Sequence, residues 1–470
     1  MIFLSILLLI VAFAIPYINK DLDSSHFLRI ATISFIYAGA LAFNALYIQS
    51  IGSGIGIYSG LFHVTLISQL FDSFLFLIGS LILIGWPKLI NRSNNVNLAA
   101  NQGSTEVTIL SNTKASEYSL IVLFSTLGGS LLISSADLIS MYLSIELQSF
   151  GVYILSTIYR ESDSATSAGL KYFLLGSLAS CLILLGSGLI YTFTGLTNFE
   201  SIYSLVSVCY DTQIIIGLSL GLVIVVIGFL FKVAASPLHN WSIDVYDDSP
   251  TIVTIWLTIM PKISIVLFLL ELHTHILNID ILNTDLLSQM IGGVDYINLT
   301  SASAQNYNIR EFTNTVFSLD TNYNIIKIFK NVLLISSLLS LIIGTVVGLA
   351  QVKIKRLLAY STISHIGFIL LALAVNTEQS VESLIFYIIQ YSITNLNTFL
   401  ILLAFGYLLN NNLTIKLGDE ENNNSNSVKN LGTVDLYIKF ISELKGQFYL
   451  HPFLSVGLII CLFSMAGKLN

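Results

Sequence analysis

Charge is what this chain has least of. Asp, Glu, Lys and Arg make up 10% of its 470 residues, against about a quarter in an ordinary soluble domain, so it cannot cover a water-soluble core. Its only cysteines, Cys181, Cys209 and Cys461, form no CxxC and keep no regular spacing. That excludes a disulfide framework and an iron–sulfur ligand set, and places any redox chemistry elsewhere. A net charge of −7 supplies no basic face for nucleic acid. What is abundant is apolar: 54% hydrophobic and 11% aromatic residues rule out disorder and leave a polytopic membrane protein solvated by lipid.

Apolar runs long enough to cross a bilayer lie near 1–18, 28–49, 66–86, 117–135, 137–158, 166–193, 212–240, 251–276, 326–350, 354–375 and 381–410, with a shorter run at 452–466. This predicts eleven full spans and a partial twelfth. Ten-residue alternating strands are absent, so the fold class is all-α, because helices are then the one backbone arrangement that satisfies itself in lipid. The first run has no Lys or Arg before it and no cleavage site after it, and reads as a retained span.

Loop charge orients the bundle. The odd-numbered loops hold thirteen Lys and Arg, among them Lys20, Arg29, Lys88, Arg92, Arg160, Lys353, Lys355, Arg356 and Lys429, and the even ones hold three, Arg310, Lys327 and Lys330. Positive charge stays on the side of synthesis, so the odd loops face that side and the N-terminus faces away.

Lys171, Lys232 and Lys262 are left within the apolar runs, with Glu146 for company. A charge at a span centre costs about 2.5–3.5 kcal/mol, and intramembrane ionisable groups mark proton or ion paths. Glu146 and Lys262 sit about ten residues into their runs. Glu146 and Lys171 lie on consecutive antiparallel helices, where a nearby carboxylate would set the proton affinity of the lysine. The plainer alternative is an ion pair that pins two helices. Lys232 either snorkels at a span edge or belongs to a helix interruption marked by Ala234, Ala235, Ser236, Pro237 and His239. Pro261 predicts a kink beside Lys262. His365, with Ser361 and Ser364 near it, is either a packing residue or a proton relay. Asp72 and Glu271 read as packing or interfacial groups.

Three ordered stretches, ISMYLSIELQSFGVYIL, FKVAASPLHNWSIDVYDDSPT and KIKRLLAYSTISHIGF, resemble the signatures of the antiporter-like subunits of respiratory complex I. The resemblance runs from about residue 117 to 466. It implies two inverted five-helix repeats with a broken helix in each, and a division into 1–116 (three helices and a loop), 117–276 (first repeat), 277–325 (connecting loop) and 326–470 (second repeat). Glu146, Lys171, Lys232 and Lys262 match the family's proton-transfer residues. A mitochondrial inner-membrane location is implied, with the N-terminus on the intermembrane-space side, and so are proton translocation and partnership with other membrane-arm subunits. NADH, flavin, iron–sulfur clusters and ubiquinone would all reside in those partners, with no cofactor or metal on this chain. Against the family pattern, the repeat motif stops after Gly467, so the chain is expected to lack part of the second repeat. Two rivals remain open: a cation/proton antiporter subunit without an electron-transfer arm, and a purely structural membrane-arm subunit.

Overall fold

The computed structural model describes residues 1–14, 24–47, 54–85, 103–159, 162–208, 212–277, 309–420 and 439–465. Lys20, Lys88, Arg92, Arg160, Lys429 and Cys209 lie outside the described residues. Three helices open the chain: α1 (Ile2–Ala14), α2 (Ser24–Ala45) and α3 (Leu66–Ile84). The first half continues as α4 (Gly103–Ile133), α5 (Leu138–Ser156), α6 (Asp163–Thr194), the short α7 (Phe199–Val208), α8 (Thr212–Val233), α9 (Asn240–Asp248) and α10 (Thr251–Leu277). The second half holds α11 (Ile309–Leu349), α12 (Ile354–Val375), α13 (Glu378–Glu420), α14 (Gln447–Leu450) and α15 (Pro452–Met465).

Among the described residues nine helices are long and apolar enough to cross a membrane. Two further apolar helices are shorter among the described residues, α1 with 13 residues and the apolar part of α4 over Glu117–Ile133; positions 15–18 of the first expected span lie outside the described residues. Both α4 and α11 also begin earlier than the apolar runs, because polar turns extend each helix beyond its hydrophobic stretch.

A small antiparallel hairpin, β1 (Ile55–Ile57) and β2 (Phe62–Val64), interrupts the all-helical pattern. Its three-residue strands are too short for a period to show in the sequence. The turn places Tyr58, Ser59 and Gly60 at positive φ. The hairpin caps the junction of α4 and α5: His63 N–H donates to Ser134 O (2.7 Å), Ala136 N–H to Leu61 O (3.0 Å) and Ser140 Oγ to Leu61 O (2.9 Å).

α10 is the axis of the molecule, buried along its membrane length. It packs against α3, α4, α5, α7, α8 and α13, and a helix enclosed on all sides is apolar all round. Around it, the first two helices of each half pair in the same way. A Cβ on Gly128 of α4 would strike the backbone of Gln148 on α5, and one on Gly344 of α11 would strike the backbone of Ser364 on α12. Farther along, Gly151 of α5 meets Ser125, and Gly367 of α12 meets Ser340. Small residues let membrane helices approach this closely. Each second helix also begins at an isolated β-bridge, Asp137 with Asn198 and Lys353 with Phe440.

The two pairs run in opposite senses. α5 starts beside the hairpin and ends at Thr157, which packs on Gly169 near the start of α6. At that same end Arg356, in the first turn of α12, meets Asp244 of α9, which also meets Lys171 of α6. Thus α12 starts where α5 finishes, as inverted repeats require.

Candidate functional site

The broken helix expected near Lys232 is present. α8 stops after Val233 because Ala234 takes a left-handed φ of 65°, a region that side-chain-bearing residues rarely occupy. Pro237, which has no N–H to continue a helix, follows a cis Ser236–Pro237 bond, and α9 resumes at Asn240. The backbone groups released by the interruption find partners inside the protein. Ala235 N–H donates to Leu230 O (2.9 Å), and the indole N–H of Trp241 donates to Phe231 O (2.9 Å). Ala234, Ala235 and Ser236 are buried, as non-helical backbone at membrane depth must be.

Lys232 occupies the last turn of α8, where the helix dipole favours a cation. Its Nζ lies 3.2 Å from Glu146 Oε1 and donates to Ser149 Oγ at 3.2 Å. The lysine side chain is 7% exposed and the glutamate 15%. Lys232 is therefore a largely buried, paired residue at the break, and the snorkelling alternative does not hold. A cleft lined by Gln148, Ser149, Tyr153, Tyr172, Trp241 and Pro261 adjoins its side chain, with room for a water.

The expected pairing of Glu146 with Lys171 is corrected by this geometry: Glu146 pairs with Lys232. Because Gly169 packs on Thr157, Lys171 lies level with the end of α5, roughly three turns from Glu146 along the bundle. There its Nζ bonds Asp244 Oδ2 at 2.9 Å, half-exposed. Asp247 accepts from Lys353 Nζ and Arg356 Nε, both at 2.8 Å. Asp248, between the spans, has its carboxyl raised above the usual range by partial burial and then by the charge of Asp247.

Lys262 lies deeper, on α10. It is 5% exposed, and its Nζ has no hydrogen-bond partner. α10 continues through Pro261 as one helix. His365 of α12 stands within electrostatic reach of Lys262, and its Nδ1 is 2.6 Å from the hydroxyl of Tyr387 on α13. The serines flanking it in sequence are occupied otherwise, Ser364 Oγ donating to Ser361 O. Tyr391 packs against the His365 ring at 5.1 Å, and Asn395 Nδ2 donates to the Tyr391 hydroxyl at 3.4 Å. At the break, Ser236 Oγ and His239 Nδ1 are buried without partners.

Sequence reasoning missed Ser149, Asp244, Tyr246, Asp247, Tyr387 and Tyr391. A signal existed for Ser149, three residues after Glu146 and so on its helix face, and for Asp244 and Asp247, which share that spacing. None existed for the tyrosines, because the register in which consecutive helices face each other is not written in the sequence pattern. Glu271, read as a packing group, accepts a hydrogen bond from Thr65 Oγ1 at 3.3 Å, while Asp72 Oδ1 is buried without a partner.

The family described as NADH:quinone oxidoreductase/Mrp antiporter matches residues 135–307 and 304–417. The NADH-ubiquinone oxidoreductase chain 2 of Rhizopus oryzae is 47% identical over 458 residues, covering 97% of this chain and 74% of that one. The chain belongs to this family. Within it, the NADH-quinone oxidoreductase subunit N of Rhodospirillum rubrum is 30% identical over 351 residues, 75% of this chain and 57% of that one. Among solved structures, respiratory complex I from Thermus thermophilus with bound aureothin contains a chain of the same fold. It has a TM-score of 0.61 and 22% identity over 99% of this chain and 78% of that one. The three stretches that carried the resemblance fall on α5, on the break and on the start of α12.

Proposed function

We propose that this chain is a proton-translocating membrane-arm subunit of respiratory NADH:ubiquinone oxidoreductase in the mitochondrial inner membrane. Its N-terminus would lie on the intermembrane-space side and the loop carrying Lys353, Lys355 and Arg356 on the matrix side. The observation that carries this reading is the Lys232–Glu146 pair, largely buried at a helix interruption beside a cleft with room for water. A lysine held by one carboxylate changes its proton affinity when that carboxylate is drawn away or neutralised. Lys232 then takes or releases a proton at the break, Lys262 receives it along the axis, and His365 passes it toward the second half. Lys171 alters the field around the pair from the end of the bundle. Electron transfer from NADH to quinone, with its flavin and iron–sulfur clusters, belongs to partner subunits, and this chain contributes no redox site.

The test is Glu146→Gln in the assembled complex, with NADH oxidation and proton uptake into membrane vesicles measured together. Pumping should fall while the complex remains present. Full pumping by the assembled variant would reject the proton role and favour a purely structural subunit. Because the family also includes Mrp antiporters, copurification decides the remaining rival: flavin- and cluster-containing partners support the complex I reading, and a set of hydrophobic subunits alone supports an antiporter.

A further inference from the structure

Five ionised side chains meet where α6, α9 and the start of α12 converge: Lys171, Asp244, Asp247, Lys353 and Arg356. Asp244 and Asp247 are three residues apart on α9, and Lys353 and Arg356 are three apart at the start of α12. Each pair therefore presents one face to the other. The lattice joins the first half, the segment after the break and the second half.

Its two carboxylates are held differently. Asp247 is 9% exposed and bonded at 2.8 Å by both Lys353 Nζ and Arg356 Nε, so it is anchored. Asp244 is 41% exposed, bonded at 2.9 Å by Lys171 and approached by Arg356 Nη2 only to 3.8 Å. The bond to Asp247 thus holds the guanidinium at the margin of an ion pair with Asp244. A relative shift of α9 and α12 by about an ångström would bring that contact into the range of a charge-assisted hydrogen bond. Lysine is a point charge on a flexible stem, whereas arginine presents a planar fork. Lys171, 52% exposed, is the partner that can leave into water at small cost.

The neighbour of Lys171 ties this exchange to the proton site. Tyr172 stacks on Trp241 with ring centres 4.6 Å apart and meets Tyr153 edge-on at 4.7 Å. All three rings line the cleft at Lys232. A change in how α6 is tied to α9 therefore acts on the wall of that cleft.

We propose that Asp244 is a shared counter-ion: its choice between Lys171 of the first half and Arg356 of the second sets the field and packing at the Glu146–Lys232 pair, so that the proton site responds to the position of the second half. This rests on the proton-translocating reading given above. Asp244 is a positioning residue, acting through Lys171.

The experiment compares Asp244→Asn, Asp244→Glu, Lys171→Gln, and Lys171→Gln combined with Asp244→Asn, each in the assembled complex, with Glu146→Gln as reference. Protons moved per NADH oxidised are measured as a function of ionic strength. Asp244→Asn should lower the ratio several-fold and Asp244→Glu should restore most of it. Adding Asp244→Asn to Lys171→Gln should change nothing further. The salt dependence, which reports screening of exposed pairs, should weaken in the double variant. Normal pumping by Asp244→Asn, or an additive loss in the double variant, overturns the proposal. Should Asp244→Asn alone not assemble, the double variant, which leaves no unpaired lysine, is compared directly with Lys171→Gln: equal ratios support the exchange and a further loss overturns it. Normal pumping by Glu146→Gln would instead remove the proton-translocating reading itself.

Discussion

The ammonium of Lys262 lies 5.4 Å from the centre of the Tyr246 ring and has no hydrogen-bond partner. An aromatic face attracts a cation, but it supplies only part of what water or a carboxylate would. A residue so placed is poorly compensated as a charge. On the proposed proton-translocating reading, its value to the molecule is exchange of a proton rather than stability.

Lys262→Met keeps the length of the side chain and removes the buried charge, a change that is often neutral or stabilising when the charge was ill-compensated. Assembly of the complex should match wild type, and proton pumping should fall about tenfold or more, equivalent to roughly 1.4 kcal/mol in a rate-limiting step. Native-gel abundance and vesicle acidification check the two halves of this expectation. Retained pumping would leave Lys262 as packing.

The Glu146–Lys232 pair should show strong non-additivity. Removing one member leaves a largely buried charge without its counter-ion, which costs up to about 3–5 kcal/mol, while removing both is often neutral. Glu146→Leu is expected to reduce assembly sharply and Lys232→Met less, because the glutamate left by the second change is the more exposed partner and the less completely desolvated one. The double variant should assemble better than Glu146→Leu alone yet pump no protons. Additive losses in abundance would show that the two side chains do not act as a pair.

Helix pairing offers a prediction independent of charge. Gly128 and Gly344 each face the backbone of a neighbouring helix, whereas a Cβ on Gly188 meets nothing within 4 Å. Gly128→Leu and Gly344→Leu should both destabilise, by at least the 1–3 kcal/mol typical of overpacking. Gly188→Leu should leave assembly intact. Thermal denaturation of the purified complex compares the three.

Much of this was legible in the chain itself, because lipid imposes a simple rule. Every intramembrane charge had to be explained, and Glu146, Lys232 and Lys262 stood out for that reason alone. Pro237 announced the break through its missing N–H, with the small residues Ala234, Ala235 and Ser236 leading into it. Partner choice was not legible. Whether Glu146 meets Lys171 or Lys232 depends on the register of α5 against α6, which Gly169 and Thr157 set, and no hydrophobic period encodes that. Tyr246, Tyr387 and Tyr391 were equally hidden, since a tyrosine in an apolar helix has the same pattern whether its hydroxyl is used or not. The hairpin at Ile55–Val64 escaped because its strands are shorter than any window in which alternation is visible.

His365 supplies the last prediction. The residue is 9% exposed, and its Nδ1 shares a 2.6 Å hydrogen bond with the Tyr387 hydroxyl. That bond holds the ring in one orientation, whichever of the two groups donates, and so aims the other nitrogen. Tyr387→Phe keeps the aromatic packing on His365 and Phe368 and deletes only the hydroxyl. If His365 is mere packing, the cost is that of one unsatisfied buried group, about 1–3 kcal/mol in stability, with pumping unchanged per assembled complex. If His365 relays protons toward the second half, the imidazole loses its fixed orientation and turnover slows as well. We expect the second outcome: a modest drop in thermal stability together with several-fold slower proton uptake per complex. Tyr391→Phe should show less of both, because Tyr391 contacts His365 through its ring while its hydroxyl accepts from Asn395. Equal effects of the two substitutions on pumping would show that His365 is held by packing alone.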